Sequence, residues 1–215
     1  MSRLLTVALV GEGLLAVVAS VWVCWRSLPL ELGPVGRGVG MGLVAAVALG
    51  ALNYAMLRLA PPVGPVRQIR TLYRETLRPL FSRATLAEVL GVSLAAGIGE
   101  ELLFRGAVQG EWGLLVASVL FGLAHIGGRT SLAFGIWAGL MGLGLGALAA
   151  FTGGLLAPIV AHATYDAAAI GYIRRDRGES EDDKRLEMDS RGSDGPGDER
   201  GAGGGPAAAA VDRRP

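Results

Sequence analysis

The sequence has one cysteine (Cys24), one lysine (Lys184) and two histidines (His125 and His162) in 215 residues. A single cysteine excludes an intramolecular disulfide and any cysteine-based zinc finger. Charge is scarce too. Only 18% of residues are Asp, Glu, Lys or Arg, against roughly 25% in an ordinary soluble domain. The 20 basic and 19 acidic residues nearly cancel, which gives no support for nucleic-acid binding, since that shows as a concentrated basic face. Apolar residues make up 51% of the chain, and there are 34 glycines. The charge is also unevenly placed: residues 174–215 hold 9 of the basic and 11 of the acidic residues. The rest is therefore far more apolar than the average suggests, as in a membrane protein with a polar tail.

Six apolar runs approach the ~20 residues that cross a bilayer core as a helix. They are Leu4–Trp25, Val39–Ala60, Thr85–Val108, Trp112–Ile126, Leu132–Phe151 and Leu155–Ile173. The pattern predicts an all-α, polytopic membrane bundle of about six transmembrane helices. The fourth run is short enough to be partly re-entrant. The first exceeds the apolar stretch of a signal peptide and contains Glu12, so it reads as a retained span. With both termini cytoplasmic, inside segments carry ten arginines and outside loops only Arg26 and Arg37, which favours that orientation in the cell membrane. Arg67, Arg70, Arg74 and Arg78 recur at helical spacing. They read either as the polar stripe of a helix lying in the headgroup layer or as an ordinary positive-inside loop.

This divides the chain into residues 1–84, two spans and a basic loop; 85–173, a membrane core; and 174–215, a tail. The tail is rich in Gly, Pro and both charge signs, so disorder is expected there. Gly135, Gly139, Gly142 and Gly146 sit at small-xxx-small spacing in the fifth run, marking a helix on which others pack closely.

An ionisable side chain near the middle of a span costs about 2.5–3.5 kcal/mol on insertion scales. Glu100, Glu101 and Arg105 lie in the third run, His125 in the fourth, and His162 and Asp166 in the sixth. Both histidines of the chain belong to this set. These six must face one another or water inside the bundle. Glu101 with Arg105, Phe121 with His125, and His162 with Asp166 are each four residues apart, on one helix face. Counting residues places Glu100 and His162 at similar depths, with His125 somewhat deeper. Glu12, Asn53 and Glu88 stand alone in their runs and read as packing or interfacial residues.

Arg105 pairs with Glu101 on spacing, which leaves Glu100 as the candidate general base. Glu100, His125 and His162 also make the His₂Glu set of hydrolytic zinc sites. The same residues without metal can activate water and stabilise an oxyanion. Either route points to hydrolysis, with no cofactor or with zinc. Two further classes are a silent scaffold that binds peptides without cleaving them and a small proton pathway. The pathway needs a polar track to both faces, which the isolated polar residues do not supply.

Glu100-Glu101-Leu-Leu-Phe-Arg105 resembles the EExxxR motif of the CAAX protease and bacteriocin-processing family of intramembrane proteases. Phe121-Gly-Leu-Ala-His125 resembles its FxxxH motif, and His162-Ala-Thr-Tyr-Asp166 its HxxxN or HxxxD motif. The resemblance covers residues 85–173. It implies a CAAX-type endopeptidase acting on a membrane-associated peptide or protein, or an immunity protein of the same build. By the same carry-over, Glu100 and His125 activate water, and His162 and Asp166 line the oxyanion side or complete a metal site. Glu101 and Arg105 hold Glu100 in place. Asp166 stands where many members have asparagine. An ionised aspartate cannot donate to an oxyanion as asparagine does. The Ala, Gly and Arg bias suggests a GC-rich bacterium, where prenylated CAAX substrates are not expected.

Overall fold

The computed structural model of the chain describes residues 2–127 and 132–175. Among these, every regular element is helical. The α-helices are α1 Arg3–Arg26, α2 Val35–Tyr54, α3 Gly64–Leu72, α4 Arg78–Phe81, α5 Leu86–Glu101, α6 Gln109–Ala124, α7 Leu132–Thr152 and α8 Leu156–Arg175. Wider π-helical turns extend or join them at Ala55–Leu59, Tyr73–Leu77 and Leu102–Val108. Arg129 and the tail from residue 176 onward, for which disorder is expected, lie outside the described residues.

Local chemistry fixes several helix ends. The Ser2 hydroxyl accepts from the Leu5 amide at 3.3 Å and starts α1. Thr85 and Glu88 form a reciprocal capping box at the start of α5, the Glu88 carboxylate accepting from the Thr85 amide at 2.7 Å. Such a box satisfies two amides that a helix start otherwise leaves open. Glu88, isolated in the sequence, is therefore a cap.

Four stretches are long and apolar enough to cross a membrane: Leu5–Arg26, Val35–Leu59, Leu86–Ala124 and Leu132–Thr152. Leu86–Ala124 holds two of the six expected passes, because its backbone turns at Gly113, with φ 84° and ψ 171°. That conformation is essentially restricted to glycine. The sequence places the break at residues 109–111, but Trp112 stays helical and packs edge-on against Trp22, their centroids 5.0 Å apart. α8, the sixth expected pass, has the length, but His162 and Asp166 hold its hydropathy below that of the four. α1 turns Val7, Val10, Leu14, Val17 and Val21 outward. So continuous an apolar stripe belongs against lipid.

Close glycine contacts give the helix directions. Gly91 meets Leu5 and Gly99 meets Glu12, so α5 runs parallel to α1. Gly38 meets Leu156 and Gly42 meets Val160, so α8 runs parallel to α2. Gly122 packs on Gly135 and Gly139 while Gly146 meets Leu114, so α7 is antiparallel to α6. The start of α1 and the end of α8 therefore lie at one end of the bundle. α1 and α2 pack directly on α5 and α8, so residues 1–84 and 85–173 build a single unit.

Candidate active site

The reversal at Gly113 brings the third and fourth runs face to face. Glu100 lies thirteen residues before it and His125 twelve after, about 20 and 18 Å along their helices at 1.5 Å per residue. The two side chains therefore reach the same level, whereas counting along the sequence set His125 deeper. His125 Nε2 stands 3.8 Å from Glu100 Oε2. His125 Nδ1 lies 2.8 Å from the Phe121 carbonyl oxygen. A carbonyl only accepts, so Nδ1 carries the proton, and in the neutral ring Nε2 presents its lone pair toward Glu100. Glu100 Oε2 is buried and receives no hydrogen bond from the chain.

Glu101 has the opposite surroundings. It is fully buried, and its Oε1 accepts from Arg105 Nη1 and from His162 Nδ1, each at 2.7 Å. The second guanidinium nitrogen of Arg105 donates to the Gly142 carbonyl at 3.1 Å, and the cation lies 4.3 Å above the Phe121 ring. Removing an ion pair from water costs several kcal/mol per ion, and only well-aligned partners return it. Here the partners are present on α5, α7 and α8 together. A side chain at Gly142 would meet Arg105 at 3.3 Å and Phe121 at 3.2 Å, so the glycine admits the guanidinium to the backbone of α7. Arg105 itself lies in the π-helical turn Leu102–Val108, a wider turn of a kind frequent at functional sites.

His162 donates from Nδ1 to Glu101 and turns Nε2 toward Asp166 Oδ2, 3.6 Å away. All six expected site residues thus come together, in two groups: Glu100 with His125, and Glu101 with Arg105, His162 and Asp166. Beside Asp166 opens an apolar cavity of about 370 Å³, lined by Leu57, Leu72, Phe81, Trp137 and Tyr165 among others. Asn53 lines it too. The arginine-striped loop contributes helices α3 and α4 to this side and buries Ile69. Among the described residues, no three His, Cys, Asp or Glu side chains stand together as ligands for one ion. As they stand, Glu100, His125 and His162 do not fit a zinc site.

Residues 82–168 match the sequence model of the family described as type II CAAX prenyl endopeptidase Rce1-like. That matched segment, under half of the chain, is similar to the family. The matched segment begins just before α5 and contains all six site residues. The chain is also similar to the uncharacterized protein YpbD of Bacillus subtilis (strain 168), 29% identical over 105 residues. That similarity covers 46% of this chain and 56% of YpbD, so the chain spans about half the length of this relative. No solved structure matches. With its Rce1-like core and its membrane-spanning helices, this is a multi-pass membrane protein.

One residue beside the Rce1-like core escaped sequence reasoning. Glu12, read as an isolated packing residue, lies on α1 against Gly99, the residue before Glu100. Its carboxylate is within electrostatic reach of Glu100, His162, Asp166 and His125. The signal was a carboxylate near the middle of an apolar span, but nothing local tells which helix it faces.

Proposed function

We propose that the protein is an intramembrane endopeptidase that hydrolyses a peptide bond of a membrane-associated protein or peptide. The Rce1-like core supports the class of reaction. The observation that carries the reading is the facing pair of Glu100 Oε2 and His125 Nε2, 3.8 Å apart inside the bundle. Two acceptors at that separation suit one water, which donates one proton to each.

In this reading Glu100 takes one water proton while the water oxygen bonds to the substrate carbonyl carbon. The carbonyl π electrons move to oxygen. His162 and Asp166 line the side where that oxyanion forms, and a protonated His162 Nε2 is the donor it needs. The carbon–nitrogen bond then breaks, and Glu100 returns its proton to the leaving amine. Glu101 and Arg105 hold His162 and the α5 backbone in register and take no part in proton transfer. The apolar cavity beside Asp166 suits a substrate that arrives from the bilayer with apolar groups attached. The ten-to-two arginine bias favours both termini in the cytoplasm. Zinc enters only as an alternative in which Glu100, His125 and His162 converge on one ion. Metal content of purified wild type against His125→Ala tests it.

The decisive comparison is of protein termini in host membranes making wild type or Glu100→Gln at matched levels. New termini that appear with wild type alone are expected. Identical termini, with any phenotype kept by the variant, would move the reading to a silent peptide-binding scaffold.

A further inference from the structure

We propose that Glu12, on the first span and outside the Rce1-like segment, is a substrate-positioning residue of the same site that accepts a backbone N–H of the bound peptide. This rests on the endopeptidase reading above. α1 approaches α5 closely at Gly99: a Cβ there would lie 2.6 Å from the Glu12 carbonyl oxygen and 2.9 Å from its Oε2. Glu12 thus sits one residue from Glu100 along α5, and only a glycine permits it.

Glu12 Oε2 is buried and receives no hydrogen bond from the chain, as is true of Glu100 Oε2. A buried acceptor without a donor costs about 1–3 kcal/mol, more when charged. Neighbouring donors are engaged elsewhere. Arg105 donates to Glu101 and Gly142, His162 to Glu101 from Nδ1 and, in the reading above, to the oxyanion from Nε2, and His125 to Phe121. The attacking water does not serve Glu12 either, since its two protons go to Glu100 and His125. A donor on the bound substrate suits it. A peptide opened for hydrolysis in the membrane exposes N–H groups that lipid cannot satisfy. An acceptor beside the base is where one of them is met.

The test uses a synthetic peptide spanning the first cleavage site found by the wild-type against Glu100→Gln comparison. Amide-to-ester analogues of this peptide replace one flanking N–H at a time with oxygen, leaving the scissile bond intact. With wild-type protein, one ester position is expected to raise KM about tenfold with kcat little changed, the size of one hydrogen bond to a charged group. Glu12→Leu raises KM of the parent peptide by a similar factor and shows no further loss with that ester. Glu12→Gln keeps a carbonyl acceptor and stays within about threefold of wild type. The proposal is overturned if no ester position affects wild type, a result that does not depend on Glu12→Leu folding. It is equally overturned if Glu12→Leu matches wild type or loses the same factor on parent and ester alike. Cleavage that ignores Glu12 leaves the endopeptidase reading intact, whereas failure to find any cleavage site sinks that reading first and this one with it.

Discussion

Glu100 and Glu101 are neighbours in sequence and opposites in bonding. Glu101 is fully buried and accepts two short bonds, from Arg105 and His162. Glu100 Oε2 has no donor and looks across 3.8 Å at His125 Nε2. Adjacent residues on a helix point about 100° apart, so one carboxylate enters the cluster shared by α5, α7 and α8 while the other faces the α6 arm. A saturated carboxylate holds helices; an open one is available to a reactant. The two halves of the site therefore differ in bonding, and variants should separate them.

The largest stability effect is expected at the saturated half. Arg105→Ala strands the Glu101 charge and should cost about 3–5 kcal/mol, read as lost thermal stability or lost accumulation in membranes. Arg105→Lys tests the geometry. An ammonium is a point charge that does not reproduce the planar fork spanning Glu101 and the Gly142 carbonyl, so a partial loss of stability is expected, seen as a lowered melting temperature in detergent. The open half should behave in the reverse manner. Glu100→Gln keeps size and removes the base, and is expected to abolish cleavage with a melting temperature close to wild type. Stability lost at Glu100 as severely as at Arg105 would erase the contrast. A smaller effect is expected from Thr85→Ala, which breaks the capping box far from the site. It should cost about 1 kcal/mol, with cleavage of the remaining folded protein unchanged.

Glu12 sharpens the comparison from outside the matched segment. The matched segment places Glu100 beside His125, and α1 brings a further carboxylate close to them at Gly99. Truncating α1 would therefore do more than expose a lipid-facing surface. It would remove one wall of the site.

The sequence by itself settled the class of molecule. Long apolar runs cannot be buried by so small a chain in water, and in lipid they have to be helices because every backbone group must be satisfied within its own segment. It also settled which side chains are exceptional, since ionisable groups in such runs need partners, and it paired those that are four apart on one helix, Glu101 with Arg105 and His162 with Asp166. Only the tertiary structure decided the rest. Which carboxylate meets which histidine, the level at which Gly113 reverses the chain, the use of the Gly142 carbonyl and the approach of Glu12 all depend on the register between helices. Spacing along one helix fixes a face; it says nothing of the neighbour that face meets. That is decided by glycine contacts on separate helices, each legible as small and none legible as a partner.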